Sequence, residues 1–506
     1  SSLPENGPYP HCYLPLHFWL DKGLVTRRVK TYPMILCAAW LPRNIRNASG
    51  NGSGILLGYM PIIEDPAHPT ARSANESLEF AQFKRGIYQK ILSRVFASLG
   101  QCSRLGETHF CNDDVTRILY PGILIESQDG EETSYFCACR AASAYYPCPK
   151  CLVHRSELHY ITRSFELRTS DSMRSVVERA SHATSKTAKN QILQDYGLHD
   201  VKHFLWDFRF SDPYAACSYD TLHSDDVGKW GKHIWDLVLE IFKKKKSLGK
   251  LTSNMSKFPY WNNLKHFNHV ATVSFTDGQS FYDILKCILP CIVQLLPRNS
   301  PLVHAIRAYQ CYRIMIGLRC MTDRRFKHLE ELIGKYEKFC SKVTKEYGKS
   351  FRFPKQHWIS HVASDIWQKG TTDNMSTRPG EGFQQEAAEA YKQTNKKKAE
   401  KQMSRIDENQ EAIALIRMAI DNDNRARSLQ SDAEDSMTKP PEEPESYIPE
   451  ERWIFGSHSG TRLDSRELEK TFAPINRNFI SFDQRLRSFI TNNFPGEAPR
   501  YEDLIY

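Results

Sequence analysis

Short apolar runs separated by turn residues dominate the first 130 residues and limit the folds open to this chain. Three of them, "YLPLHFWLDKG", "KTYPMILCAAWLP" and "SGILLGYMPII", predict adjacent strands in an antiparallel meander. In "SLEFAQFKRGIYQKILSRVFASLG" apolar residues recur every three or four positions, which predicts an amphipathic helix ending near Gly100. "TRILYPGILIES" predicts a further strand, and "TSYFCACRAASA" a helix. The order β-β-β-α-β predicts an α/β fold.

From about residue 165 the pattern becomes helical, so we expect a mostly α-helical block after the sheet. The predicted divisions are 1–165 for the first part of the α/β core, 166–370 for the helical block and 371–430 for a returning helix. Residues 431–446 are acidic and rich in proline, which is typical of a linker, and 447–506 form a C-terminal segment without an assigned role.

Composition narrows the class of protein. The 506-residue chain has no run of eighteen apolar residues, which predicts no membrane partner. Its 14 cysteines are scattered through a lysine-rich sequence, a pattern that favours a reducing compartment over a disulfide framework. A net charge of +9 fits a polyanionic partner, and it fits an ordinary solvated basic surface equally well.

Two acids follow predicted strands. Asp21 ends the first strand in "FWLDKG", and Asp129 comes just after a later strand in "IESQDGEE". Carboxylates that project from strand ends into a shared cleft are suitable ligands for Mg²⁺. The alternative is a turn-forming role, because Asp before Gly is common in loops.

Cys148 and Cys151, in "YYPCPKCLVH", have the spacing of half a zinc site. They could also form a redox pair or be ordinary buried cysteines. His154 is too close in sequence to complete the shell without strain. Asp220 and His223, spaced i, i+3 in "YDTLHSDDVGKWGKH", are the better candidates, with a capping Asp and a surface His as the alternative.

A third group of acids lies late in the chain. Pro379 is well placed to open a helix that carries Glu381, Glu386 and Glu389. One of these could return to the sheet and complete a carboxylate cluster, although glutamates on a surface helix are common.

Together, the segments "WLDKG", "YPMILCAAWLPRNIR", "YPGILIESQDGEE", "CPKCLVH", "YDTLHSDDVGKWGKHIW" and "STRPGEGFQQEAAEAYKQTN" resemble transposases of fungal Plavaka elements. That family is placed in the Kyakuja–Dileera–Zisupton group, related to CACTA transposons. The order and spacing of the segments carry the resemblance, which covers roughly residues 14–425.

The resemblance implies an RNase H-like mixed sheet flanked by helices, with a large helical insertion between the second and third acids. It implies a DDE-type DNA transposase, in which Asp21, Asp129 and Glu381 bind Mg²⁺ (or Mn²⁺), with Glu386 as the alternative third acid. Magnesium-activated water would cut the element's ends, and the freed 3′-hydroxyl would attack target DNA.

Related transposases also pair Cys-x-x-Cys with a later Cys/Asp-x-x-His. The resemblance therefore implies a structural Zn²⁺ held by Cys148, Cys151, Asp220 and His223, which clamps the insertion beside the sheet. It further implies nuclear localisation, DNA as the partner, a homo-oligomer, and additional sequence upstream of Ser1.

Two other functions stay open. One is a catalytically inactive, domesticated descendant that binds DNA or chromatin. The other is a zinc-dependent interaction module without a nucleic-acid role, for which salt-sensitive DNA binding is not expected.

Overall fold

A computed structural model describes residues 3–4, 7–46, 54–65, 73–271, 277–435, 465–474 and 477–493. The chain divides into two compact units, each built from several segments. The first unit comprises 1–152, 166–218 and 374–449, and the second comprises 153–165, 219–373 and 450–506. Residues 166–218 thus group with the sheet, whereas the sequence-based division assigned them to the helical block.

The first unit contains a five-stranded mixed sheet and a two-stranded ribbon. The strands are β1 (His11–Leu20), β2 (Gly23–Leu24), β3 (Lys30–Thr31), β4 (Pro33–Ala38), β5 (Gly54–Tyr59), β6 (Glu107–Phe110) and β7 (Thr116–Ser127). The sheet has the order β5-β4-β1-β7-β6, and β2 and β3 form the ribbon. The predicted meander is confirmed, since β1, β4 and β5 pair antiparallel. β7 runs parallel to β1, so β1 is central and the second half of β1 is buried.

Helices of the first unit cover this sheet. They are α1 (Arg43–Arg46), α2 (Ala74–Val95), α3 (Ala97–Leu105), α4 (Gly130–Phe136), α5 (Ser170–Ser181), α6 (Lys186–Asp195), α7 (Pro213–Ala216), α15 (Arg378–Lys392) and α16 (Ala399–Asp435), with 3₁₀ turns including Phe204–Asp207. The amphipathic helix predicted after the meander is confirmed as α2. Three local predictions were wrong: Gly100 lies inside α3, α4 ends at Phe136 rather than running on to residue 144, and β6 was not anticipated.

The second unit is helical over its described residues. It comprises the 3₁₀ turn Arg155–Glu157, a π-helix (Leu222–Trp235), α8 (Asp236–Lys244), α9 (Leu248–Ser256), α10 (Gly278–Ile292), α11 (Pro301–Ile316), α12 (Asp323–Tyr347), α13 (Pro354–His357), α14 (Ile359–Lys369), α17 (Ser465–Phe472) and α18 (Phe482–Asn493). The predicted helical character of this part of the chain is confirmed. Of the predicted linker, 431–435 continue α16, while 436–446 lie outside the described residues.

The prediction of an α/β fold, a mixed sheet flanked by helices with a further helical part, is confirmed. Among the helices that the structure describes, none combines the length and the apolar character needed to cross a membrane. The returning helix α15 belongs to the sheet's own unit. Its Phe383 joins Trp19, Ile35 and Cys37 in one buried cluster on the sheet.

Candidate active site and metal centre

Two of the predicted acids, Asp21 and Asp129, lie just beyond the ends of neighbouring strands at the same edge of the sheet. In the parallel pair β1 and β7, the last paired residues are Trp19 and Ser127. Asp21 and Asp129 each follow two residues later, where the chain leaves the strand. Because neighbouring strands are about 4.8 Å apart and these two run in the same direction, the acids emerge side by side. Both are partly buried.

Local structure fixes the orientation of the Asp129 carboxylate. Asp129 is the N-cap of α4, and its Oδ1 atom accepts a hydrogen bond of 2.8 Å from the Glu132 backbone N–H. This is the turn-forming role that its sequence context suggests. Within the part of the chain that the structure describes, Oδ2 accepts no hydrogen bond, so capping leaves one carboxylate oxygen available.

A third carboxyl group, which the sequence analysis did not single out, lies beside this pair. Burial raises the pKa of Glu132 to about 7; the nearby hydroxyls of Tyr32 and Tyr88 offset part of the rise, and the charges of Asp129 and Asp21 add to it. Glu132 therefore holds a proton near neutrality in a place where further negative charge is unfavourable. The sequence "DGEE" contained the signal for this residue. Glu132 is the third residue after a capping Asp, so it lies in the first turn of the helix.

Helix α15 packs closely against the end of β1. A Cβ atom on Gly380 would lie 1.7 Å from Cε2 of Trp19, so only glycine permits this approach. One turn later, Gln384 Nε2 donates a 2.9 Å hydrogen bond to the Asp21 carbonyl oxygen. The Gln384 side chain also fills the space that a Cβ on Gly23 would need, at 1.8 Å. The start of α15 is thereby fixed next to Asp21.

The residues just before α15 are also held to the sheet by hydrogen bonds. The buried Ser127 hydroxyl, at the end of β7, donates to the Met375 carbonyl at 2.8 Å. Arg46 donates from Nη2 to Asn374, at 3.0 Å to the carbonyl and 2.8 Å to Oδ1. These bonds fix the chain just before α15, and so position the first turn of that helix relative to both strand ends.

The two candidates for the third acid point to different sides of α15. Glu381 is exposed in the first turn, one residue after Gly380 and three before Gln384. A spacing of three residues puts Glu381 on the same side of the helix as Gln384. Glu386 instead contributes to the raised pKa of Asp407 on α16, about 6, where burial is the largest cause. The assignment of Glu381 rather than Glu386 as the third acid stays a prediction.

Cys148 and Cys151 belong to a buried group of four metal-ligand side chains. The group, called here the Cys2His2 group, is completed by His357 and His361, and its four ligand atoms all lie within 4.8 Å of one another. The Lys150 backbone N–H lies 3.4 Å from the Cys148 sulfur, where it can donate to a thiolate. Two sulfur and two imidazole ligands are a typical donor set for tetrahedral Zn²⁺, so this group could bind zinc.

The two histidines were not among the metal ligands predicted from the sequence. The signal was present in "QHWISH", where His357 and His361 are spaced i, i+4, a common ligand spacing in zinc sites. Their rings are 5.1 Å apart, centre to centre. His357 ends α13 and His361 lies in the first turn of α14, so the link between the two helices fixes their separation.

The other predicted zinc ligands, Asp220 and His223, contact each other at the start of the π-helix. Asp220 Oδ2 accepts from the His223 backbone N–H at 2.6 Å and lies 2.8 Å from His223 Nδ1. Asp220 thus acts as a cap, which is the alternative role noted from the sequence. The close ligand group comprises Cys148 and Cys151 with the two later histidines, and the role of Asp220 and His223 in zinc binding stays a prediction.

Comparison with known proteins gives one family. Residues 3–238 match the family described as Plavaka transposase. This range contains Asp21, Asp129, Cys148 and Cys151, and it ends before α15 and the two histidines. A comparison with curated proteins gave no match. The prediction of a Plavaka-type transposase is confirmed, while the wider Kyakuja–Dileera–Zisupton and CACTA grouping stays a prediction. Over residues 3–238, the chain therefore matches the Plavaka transposase family.

Proposed function

We propose that this transposase cuts and joins DNA through a DDE-type site formed by Asp21, Asp129 and Glu381. The family implies an enzyme that acts on DNA, and the observation that carries the finer proposal is the common edge of β1 and β7. Two carboxylates at neighbouring strand ends, approached by a glutamate-bearing helix, are the oxygen donors that Mg²⁺ or Mn²⁺ prefers.

Each part of the chain has a separate task in this proposal. The metal, when bound, would activate the attacking oxygen and stabilise the departing one in phosphodiester chemistry. The Asp129 cap holds one carboxylate in a fixed rotamer. Gln384 and Gly380 set the distance between α15 and the end of β1. Positioning of this kind lowers the barrier because the reacting groups are already oriented.

The reaction we propose has two stages. Water first hydrolyses a phosphodiester at each end of the element, and the 3′-hydroxyl so released then displaces a phosphodiester in target DNA. DNA is the partner, and we propose that the protein acts in the nucleus as a homo-oligomer. Zn²⁺ in the Cys2His2 group would be structural, because two thiolates and two imidazoles fill a tetrahedral shell and leave no open position.

Nicking of supercoiled plasmid in Mg²⁺ or Mn²⁺ tests the proposal. Asp129→Asn is the sharpest variant, because asparagine still caps α4 but lacks the charge. We expect nicking to fall by about 100-fold or more, as when a preorganised electrostatic group is removed from an active site. Glu381→Gln should have a similar effect and Glu386→Gln a small one.

The matched control is Glu131→Gln, an exposed acid in the same helix. Nicking that survives in Asp129→Asn and Glu381→Gln would refute the assignment of the acids. DNA binding without metal-dependent nicking in the wild type would instead support the inactive, domesticated alternative. Loss of salt-sensitive DNA binding altogether would favour the zinc-dependent interaction module.

A further inference from the structure

An open cleft of about 530 Å³ lies in the first unit. Three arginines, two aromatic residues and one acid line it: Arg104, Arg174, Trp206, Asp207, Phe208 and Arg209. They come from the end of α3, from α5 and from the segment around the 3₁₀ turn Phe204–Asp207. The proposed catalytic site uses none of these residues.

The charge balance of the cleft favours an anion. Its single carboxylate, Asp207, is already paired, with Arg174 Nη2 at 3.1 Å and with Lys202 Nζ at 3.0 Å. Arg104 and Arg209 are both exposed. Arg104 Nη1 donates to the Asp207 carbonyl at 2.8 Å, which fixes the guanidinium while leaving most of its five donors available. The Arg209 guanidinium lies 5.0 Å from the ring centre of Phe210.

The wall of the cleft has more hydrogen-bond donors than acceptors. Arg174 Nε and Trp206 Nε1 are buried and have no hydrogen-bond partner within the described part of the chain. Trp206 is 7% exposed, so its indole N–H pays the cost of desolvation without a compensating bond. These two atoms have almost no accessible surface, so the donors that a ligand can reach are the exposed guanidinium groups of Arg104 and Arg209. A phosphodiester supplies acceptor oxygens and the matching charge for them.

The position of the cleft decides which phosphate it could reach. The segment that follows the cleft residues runs beside β7. The Ile123 backbone N–H donates to Ser211 Oγ at 2.8 Å, and Cys217 forms a parallel bridge with Glu126. Ile123 precedes Asp129 by six residues, which corresponds to roughly 20 Å of strand. The cleft residues precede Ser211 along this segment, so we infer that they face DNA on the flank of the cutting site rather than the scissile phosphate.

We propose that the cleft of Arg104, Arg174 and Arg209 binds the sugar-phosphate backbone of the DNA that flanks the site of cutting. This inference rests on the proposed function, because it takes DNA held at the strand ends as the substrate. Phosphate contacts position a protein on DNA without specifying sequence. The cleft is thus a positioning site that sets the register of the duplex against the acids.

The test compares two double variants with the same loss of charge. Arg104→Gln/Arg209→Gln removes two cations from the cleft, and Lys243→Gln/Lys245→Gln removes two exposed cations from the end of α8. Affinity for a 30-base-pair duplex is measured over a salt series. We expect the cleft variant to bind about 10-fold more weakly, with a slope of log Kd against log salt lower by roughly 1 to 2. Thermal melting confirms that both variants fold.

Trp206→Phe adds a second measurement. It keeps an aromatic ring and all three arginines and removes only a buried indole N–H, so we expect the affinity and the salt slope to stay close to those of the wild type. Wild type that binds DNA together with a cleft variant of equal affinity and slope overturns this inference and leaves the catalytic proposal intact. An equal loss in the lysine control also overturns it. A wild type without salt-sensitive DNA binding overturns both proposals.

Discussion

Glu132 makes the stability of the first unit depend on pH in a direction that can be worked out. Its pKa is about 7 in the folded chain, against an ordinary value of 4.5, chiefly because the carboxyl is buried. Between these two pH values the folded state keeps a proton that the unfolded state has lost. The free energy of unfolding therefore falls as the pH rises through this window, and it is constant above about pH 7.

The magnitude follows from the shift in pKa. A rise from 4.5 to about 7 corresponds to roughly 3 kcal/mol, at about 1.4 kcal/mol for each pH unit. Glu132→Gln removes the titration and keeps the size of the side chain. We expect this variant to be as stable as the wild type near pH 4.5, and more stable by about 3 kcal/mol at pH 8. In a unit of about 280 residues that is an increase in Tm on the order of 5 °C.

Thermal melts at pH 5 and pH 8 in Mg²⁺-free buffer measure the difference, with Glu131→Gln as the control at an exposed position of the same helix. Adding Mg²⁺ provides a second measurement. A divalent ion next to Asp21 and Asp129 would favour the ionised form of Glu132, and so should narrow the gap at pH 8. If the advantage of Glu132→Gln is the same at both pH values, burial does not control this group and the reasoning is wrong.

Two further predictions concern packing and metal binding. Gly380→Ala should destabilise the protein by about 1–3 kcal/mol and abolish nicking, because its Cβ would overlap Trp19. Gly86→Ala, in α2 with nothing within 4 Å of the new atom, should be neutral or stabilise by up to about 1 kcal/mol; an equal loss in both would contradict the packing argument. Removing zinc from the Cys2His2 group with a chelator should lower the Tm, and Zn²⁺ but not Mg²⁺ should restore it. Purified protein without zinc and with an unchanged Tm would refute the structural role.

The local sequence pattern predicted the strands and helices of the site better than it predicted how they pair and pack together. The apolar run before Asp21 and the one before Asp129 are β1 and β7, and Pro379 lies at the start of α15 as expected. Their pairing could not be derived, because parallel strands separated by about a hundred residues are joined by long-range contacts. The close approach of Gly380 to Trp19 is likewise a tertiary contact, and a glycine near a helix start can equally reflect the conformation of the local backbone.

The π-helix is a second feature that the sequence pattern could not reveal. "LHSDDVGKWGKHIW" has helical composition, yet its backbone follows the wider i, i+5 spacing over fourteen residues. Lys229 and Asp225 form a fully buried ion pair of 2.7 Å on this helix, and Asp225 also accepts from Tyr219 and Tyr309. Breaking such a network leaves a buried charge unpaired, so it strongly favours one arrangement of the helix. Periodicity cannot reveal that choice, because the tyrosine partners come from other elements.

Asp129 shows why the two interpretations of the acids were not true alternatives. From the sequence, an Asp before Gly is either a turn former or a metal ligand. In the structure, Oδ1 accepts from the Glu132 N–H and satisfies the helix terminus. A carboxylate has two oxygens, and capping restricts its rotamer without occupying Oδ2. The capping role would therefore preorganise the proposed metal-binding role, and the two roles do not exclude each other.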